Sequence, residues 1–493
     1  VSTLMVATIV APLLAAAGGL GWRANARARD AVILAGLAVA MAASFAMLHG
    51  VSQRGVHVVR VGGWGPDLGI VLVADLLAAL VQPLALAIIF VVEVFAIGQR
   101  RTAWGTNPEL AGPLLCVLTS GVSLAVLTGD LFTLFVAFEL ILVSSYVLLT
   151  NQGRRSQIRS GMTYVVMNIF ASTLFLFGLG FVYAATGTVN LALLADRIPE
   201  LSDGVRLGIG AWFFVVFGTK AAVFPLFSWL PDSYPTAPTT ITAVFAGLLT
   251  KIGIYAMIRF HTLTGMDDLG PVMLLIAGVT MIVGGLGALA QADVKRILSF
   301  HIISQIGYML MGLGLFSAAG TTAAILFLIH QMPVKTVLFL VGGLIENDQG
   351  TSTLERSGGM AARRPVIAAM FAIPALSLAG IPPFSGFAAK LAVITAAIDE
   401  DAVAIAAVAL LAGALTLLSM AKIWLGVFWG PTAENLSPVP TKRRNQRIMM
   451  AATGLAVAGT LAISLLAGVL FDLSDRASRD LRSPGAYISE VLS

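Results

Sequence analysis

Charge is what this chain has least of. Only 11% of its 493 residues are Asp, Glu, Lys or Arg, while 58% are hydrophobic and the mean hydropathy is +0.92. A water-soluble domain carries about 25% charged residues, and no soluble core could hide this much apolar surface. Cysteine is nearly absent as well. Cys116 stands alone inside an apolar run, which excludes a disulfide framework and a thiolate metal cluster. The sequence has no glycine-rich phosphate loop, nucleophile triad or metal-ligand cluster, so neither an enzyme nor a bound cofactor is expected. A pI near 9.5 would suggest nucleic acid in a soluble protein. Here the arginines cluster in short loops between apolar runs, a sign of membrane orientation, and no nucleic-acid partner is expected.

What is abundant is long apolar sequence. Runs such as 31–48, 110–127 and 449–470 are bordered by polar residues, and each approaches the roughly twenty residues of one bilayer crossing. Counting such runs predicts an all-α, polytopic membrane protein with about fourteen transmembrane helices. They lie near 1–21, 31–49, 70–98, 110–128, 130–150, 162–185, 206–229, 238–260, 270–290, 297–317, 321–345, 365–398, 402–429 and 448–471. In the first span the basic residues Arg23, Arg27 and Arg29 follow the apolar stretch. A cleavable signal has the opposite order, so this reads as a retained span with its amino end outside.

Lys and Arg fall mostly in the odd-numbered loops, as with Arg100, Arg101, Arg154, Arg155, Arg363, Arg364, Arg443, Arg444 and Arg447. The even-numbered loops hold only Arg54, Arg60, Arg197, Arg206 and Arg259. The odd loops are therefore expected in the cytoplasm, and both termini outside the inner (plasma) membrane.

Two spans carry helix breakers at depth. The seventh reads FGTKAAVFPLFSWLP and the twelfth IPALSLAGIPPFSGFAAK. Proline removes a backbone donor, which hydrocarbon tolerates only beside protein or a watery cavity. The breaks lie five spans apart, and a unit with an odd number of spans inserts upside down relative to its copy. Two inverted five-helix repeats with broken seventh and twelfth helices are expected, over 110–260 and 270–430. A three-helix segment (1–109) precedes them, and a C-terminal helix and tail (431–493) follow.

Five lysines lie within apolar spans: Lys220, Lys251, Lys335, Lys390 and Lys422. Glu139 and His330 join them. Each charged group at mid-depth costs at least about 2.5–3.5 kcal/mol on insertion scales. Snorkelling suits Lys422, close to Trp424 and Trp429. It does not suit Glu139, near the middle of its run, nor Lys251, about 20 Å along its helix from Pro238 at 1.5 Å per residue. Lys220 and Lys390 flank the two breaks. His330 and Lys335 would not share a face of an ideal helix, but Pro333 between them could turn both toward one interior path. Lysine held between burial and a carboxylate can take up or release a proton, and histidine titrates near neutrality without help. The bland alternative for each is a buried pair that only fixes helix packing. Asp75, Glu93 and His301 are left undecided, a cytoplasmic entrance group being one reading of His301. Asp399, Glu400 and Asp401 form a solvated loop, and His49, His57 and His261 read as surface residues.

At this point the sequence resembles the antiporter-like subunits shared by Mrp-type multisubunit Na⁺/H⁺ antiporters and respiratory complex I. The motifs are GDLFTLFVAFELILVSSY around Glu139, TKAAVFPLFSWLPDSYPTAPT around Lys220, DVKRILSFHIISQIGYML, and GIPPFSGFAAK ending in Lys390. Chain length and the segment GGWGPDLGIVLVADLLAAL are similar to the D-type subunits of that family. Histidine often stands at the position of Gln305 in complex I relatives. The resemblance implies a proton path with a Glu139–Lys220 pair, a relay through Lys251, His330 and Lys335, and an exit at Lys390. It implies transport of H⁺ and Na⁺ within a hetero-oligomeric complex of other Mrp-type subunits in the lipid bilayer. The alternatives are a proton-pumping subunit of complex I or a membrane hydrogenase, and a scaffold subunit whose polar residues only hold helices together.

Overall fold

A computed structural model describes residues 1–65, 69–103, 108–151, 153–431, 438–439 and 441–493; the side chains of Arg100 and Arg101 lie outside the described set. Hydrocarbon offers backbone groups no partner, so the apolar runs close their hydrogen bonds internally as helices. In chain order these are α1 (Ser2–Gly21), α2 (Ala26–Arg54), α3 (Leu76–Ala103), α4 (Ala111–Leu127), α5 (Leu131–Thr150), α6 (Arg155–Thr186) and α7 (Asp203–Ala221). Then come α8 (Thr239–Leu263), α9 (Gly270–Ala290), α10 (Val294–Gly314), α11 (Ala318–Gln349), α12 (Pro365–Ala379), α13 (Ser385–Asp399) and α14 (Val403–Trp429). The chain ends in α15 (Arg443–Leu465), α16 (Ala467–Arg482) and α17 (Gly485–Leu492). Among the described residues, eleven helices are long and apolar enough to cross a membrane, and α4 and α12 are shorter apolar helices.

The most apolar stretches of α8, α10 and α11 are 94% buried, against 33% for α1, α2 and α15. The first three form the centre of the bundle and the others its rim. Two short strands, β1 (His57–Arg60) and β2 (Val71–Ala74), pair antiparallel between α2 and α3. The C-terminal segment is tied across this region, with Arg476 donating to the Ser52 carbonyl (2.9 Å) and Arg60 to that of Val491 (3.0 Å).

One backbone latch occurs twice. Asp130 caps α5 by accepting from the Thr133 amide (2.6 Å), and Asp293 caps α10 by accepting from that of Arg296 (3.0 Å). α6 and α11, each 32 residues long, both end on a left-handed glycine, Gly187 and Gly350. The chain just beyond pairs back onto each aspartate, Asn190 with Asp130 and Thr353 with Asp293. Leu131 donates to Val189 and Leu191 to Gly129; at the same spacing Val294 donates to Ser352 and Leu354 to Ala292.

The breaks also correspond. α7 stops at Ala222 (φ 62°), followed by a cis Phe224–Pro225 peptide, and α12 stops at Gly380 (φ 88°), followed by cis Pro382–Pro383. A broken helix leaves carbonyls without partners. The Trp229 indole donates to Thr219 O at the first break (3.1 Å), and Lys390 Nζ donates to Ala379 O at the second (3.1 Å).

Two sequence readings are corrected. Arg259, counted as a loop arginine, lies buried in α8 and forms a two-pronged pair with Asp75 at 2.9 and 2.7 Å. His261, read as a surface residue, is fully buried, with its ring nitrogens 3.1 Å from Met257 O and 3.0 Å from Gly210 O. Both residues sit within about one turn of the end of α8 at Leu263. There the sequence does not distinguish an exposed helix end from one covered by neighbouring elements.

Candidate functional site

Lys251 lies on α8 between the end of α7 and the middle of α11. Two close approaches on α8 bring it there. A side chain added at Gly253 would meet the Ala221 amide at 2.7 Å, and one at Gly247 would run into Thr336 Oγ1. The first glycine admits the end of α7, next to Lys220, and the second admits α11, next to Lys335. Between them α8 opens into a π-helical turn at Phe245–Leu249. Such a turn disturbs the regular helix ladder and recurs at functional sites. Here the Ala246 carbonyl accepts from Lys251 Nζ, which also reaches Thr250 Oγ1 at 3.4 Å.

Lys220 is 7% exposed at the end of α7. Its Nζ donates to Ser172 Oγ (3.2 Å) and Asn168 O (3.4 Å) and lies 5.6 Å from the centre of the Phe138 ring. The expected ion pair with Glu139 is not formed. Glu139 Oε1 is buried without a hydrogen-bond partner, although its charge acts on Lys220 across the gap. Beside Lys220 is a cavity of ≈ 20 Å³ lined by Phe138, Tyr164, Asn168, Trp229 and Leu249. That is room for about one water molecule.

α11 carries Lys335 and His330 on either side of Pro333, inside one continuous helix. Lys335 is 0% exposed, and among the described residues none accepts a hydrogen bond from its Nζ. Its charge acts jointly with those of Lys251 and Lys390. His330 faces the twelfth-span break: Nδ1 is 2.8 Å from Ser385 Oγ, which is 3.3 Å from Ser377 Oγ. The Ser385 amide donates to Ser464 Oγ at 2.9 Å. Beyond the break, Lys390 Nζ lies 5.2 Å from the centre of the Tyr308 ring. The structure thus brings Lys251, Lys335, His330 and Lys390 into one electrostatic neighbourhood, without direct contacts among them.

His301 belongs to this neighbourhood rather than to the membrane surface. It is 0% exposed, and its Nε2 is 2.5 Å from Ser419 Oγ. The residues that sequence reasoning misses are mostly the uncharged polar ones. Gln331 donates to Gln305 (3.1 Å), and Gln305 reaches Thr416 Oγ1 (3.5 Å). Nothing in the sequence singles these out, because hydroxyls in membrane helices usually bond back to their own helix. Gln305 enters the sequence reading only through what the resemblance puts there. Lys422, read as snorkelling, donates to Leu289 O (2.8 Å) and Gln291 O (2.7 Å), as a cation at a helix C-terminus should. Asp75 pairs with Arg259, and Glu93 is buried in α3. Among the described residues, no group of three or more His, Cys, Asp or Glu could hold a metal ion.

Residues 128–416 match the family described as NADH:quinone oxidoreductase/Mrp antiporter, TM. The chain belongs to this family. All six residues expected on the path lie within the matched stretch. Among curated members, the chain is 43% identical over 446 residues to the D subunit of the Na⁺/H⁺ antiporter of Alkalihalophilus pseudofirmus, covering 90% of each chain. It is 37% identical over 470 residues to the protein of the same name in Bacillus subtilis, covering 92% of each. Among solved structures it matches a chain of the Mrp complex from Dietzia sp. with a TM-score of 0.92 and 34% identity, over 100% of both chains. A chain of an archaeal membrane-bound sulfane sulfur reductase superposes almost as well, with a TM-score of 0.91 at 25% identity. This family fold therefore serves both antiporter and respiratory complexes.

Proposed function

We propose that this chain is the proton-translocating member of a multisubunit Na⁺/H⁺ antiporter, working beside other Mrp-type subunits. It exchanges cytoplasmic monovalent cation for external protons. The observation that carries this reading is the set of ionisable groups that runs from the half-buried Glu139 of α5 through the buried Lys220, Lys251, Lys335, His330 and Lys390. A scaffold would not need Lys335, an amine at full burial with no partner among the described residues, because a methylene chain would pack there at lower cost. The antiporter names of its curated relatives support this reading over a redox complex.

The geometry suggests how protons move. Lys220 and Lys251 each donate to a backbone carbonyl, which stabilises an ammonium less than a carboxylate in an ion pair would. Like charges in a low-dielectric interior repel, so a proton arriving on Lys251 favours release from Lys335 toward His330 and Lys390. The first step needs more than the side chains supply. Glu139 and Lys220 are not in contact, and a single water in the small cavity beside Lys220, or a swing of the glutamate, would complete the link.

In this reading α4, α7 and the α12/α13 pair complete fourteen crossings, with both termini outside the plasma membrane. The recurring aspartate latches and helix breaks support two inverted repeats over 110–260 and 270–430. The need for partners has support in α5. Phe132, Val136 and Val143 are exposed along one face, and the half-buried Glu139 lies in the same stripe. A carboxylate near mid-depth is not stable against lipid tails, so a neighbouring protein of the complex covers that face.

The test is Na⁺-dependent proton flux in vesicles holding the purified complex. Glu139→Ala and Lys220→Ala should each bring exchange to background while the complex still assembles. Full exchange in either variant refutes the assignment. Redox proteins co-purifying in place of small membrane subunits would favour the respiratory alternative.

A further inference from the structure

Far from the lysine line, a pocket opens between the first turns of α12 and α15. Its volume is ≈ 480 Å³, and Arg363, Arg364, Arg443 and Arg447 line it together with the apolar Val366 and Met450. One carboxylate is close by. Asp348, with its side chain 6% exposed, holds Arg364 at 2.7 Å and Arg363 at 3.7 Å. Arg363 also donates to Gly358 O at 3.1 Å. These two guanidiniums are held in place, and the one acidic partner they have among the described residues is buried. Arg443 and Arg447 lie one turn apart on the same face of α15. Both are exposed, and neither has an ion pair among the described residues. Met450 continues the same face one turn deeper.

The pocket therefore has a strongly positive rim and an apolar wall, half open to the surroundings, on the first turns of two membrane helices. A small inorganic anion would use the rim and leave the wall unfilled. A molecule with a phosphate head and hydrocarbon chains uses both. We propose that this pocket binds an anionic phospholipid, its phosphate held by the four arginines and an acyl chain lying along Val366 and Met450. The bound lipid braces the start of α12, whose last carbonyl, at Ala379, accepts from Lys390 of α13, against the last turn of α11.

The test uses the purified complex in nanodiscs of phosphatidylcholine carrying a trace of photoreactive phosphatidylglycerol, with cross-linked peptides identified by mass spectrometry. Cross-links are expected on the segments containing Val366 or Met450. They should fall by about tenfold in the Arg443→Gln/Arg447→Gln complex and persist in added inorganic phosphate. Equal labelling by photoreactive phosphatidylcholine would overturn the proposal. So would labelling unchanged in the double variant, displacement by inorganic phosphate, or no labelling because a neighbouring protein of the complex fills the pocket. Should the double variant fail to assemble, the comparison of the two lipids on the unaltered complex decides the question by itself.

Discussion

Around Lys220 phenylalanine rings dominate, broken by Ser172 and Asn168, whereas His330 and His301 each meet a serine hydroxyl, although the Phe327 and Tyr308 rings stand beside His330 and Lys390. Phe138, Phe175 and Phe217 pack against one another beside Lys220 with centroids 5.6–6.4 Å apart, and the cavity there has room for about one water. On the other side of Lys251, His330 meets Ser385 and Ser377, His301 meets Ser419, and Gln331 is joined through Gln305 to Thr416. The same ionisable residue types are thus solvated in two ways. A proton leaving the dry side must wait for a water or a side-chain movement, whereas the polar side already offers hydrogen-bonding groups. The difference suggests that the Glu139–Lys220 region gates and the Lys335–Lys390 region conducts.

The comparison can be broken most directly at Lys335. Because its amine has no partner among the described residues, Lys335→Met should abolish exchange yet leave the complex as stable or more so, by up to about 1–3 kcal/mol. A thermal melt of the purified complex, read beside vesicle flux, checks both halves of that statement. Loss of stability along with activity would make Lys335 a packing residue. The next effect concerns the junction. Gly247→Val drives two methyl groups into Thr336 Oγ1 and should cost about 1–3 kcal/mol through overpacking, with exchange falling further than stability because α8 and α11 separate. Exchange that tracks stability alone would show that their spacing is not what transport needs. The smallest effect sharpens the wet–dry contrast. Ser385→Ala removes the His330 partner and should slow exchange about fivefold, at roughly 1 kcal/mol per lost hydrogen bond. Ser172→Ala should do less, since Lys220 keeps the Asn168 carbonyl. Equal slowing in the two vesicle assays would remove the distinction.

Much of this arrangement is legible in the sequence, for a definite reason. A lysine or glutamate deep in an apolar run is too costly to be accidental, so Glu139, Lys220, Lys251, Lys335 and Lys390 stand out, and the two proline breaks mark the helices that end inside the bundle. What stays hidden depends on contacts between distant segments. Arg259 and His261 sit near a span end, where exposed and covered positions have the same composition. The π-helical turn that frees the Ala246 carbonyl has no sequence signature in FAGLL. Ser385, Ser419 and Gln331 matter only because His330, His301 and Gln305 approach them from other helices. The aspartate latches are equally hard to foresee, since a capping aspartate at a helix start is common and its partner lies far along the chain. The family resemblance also implies a Glu139–Lys220 pair, where the structure has a gap with Phe138 close to the lysine.

The account depends most on Lys251, where the dry and wet regions join. Proton flux driven by a Na⁺ gradient, measured in vesicles holding the Lys251→Ala complex, is therefore the most direct test. The expected result is flux at background, at least about a hundredfold below the unaltered complex, from a complex that assembles with all its subunits. Flux matching that of the unaltered complex would mean that protons cross without Lys251, and the proposed line would be wrong.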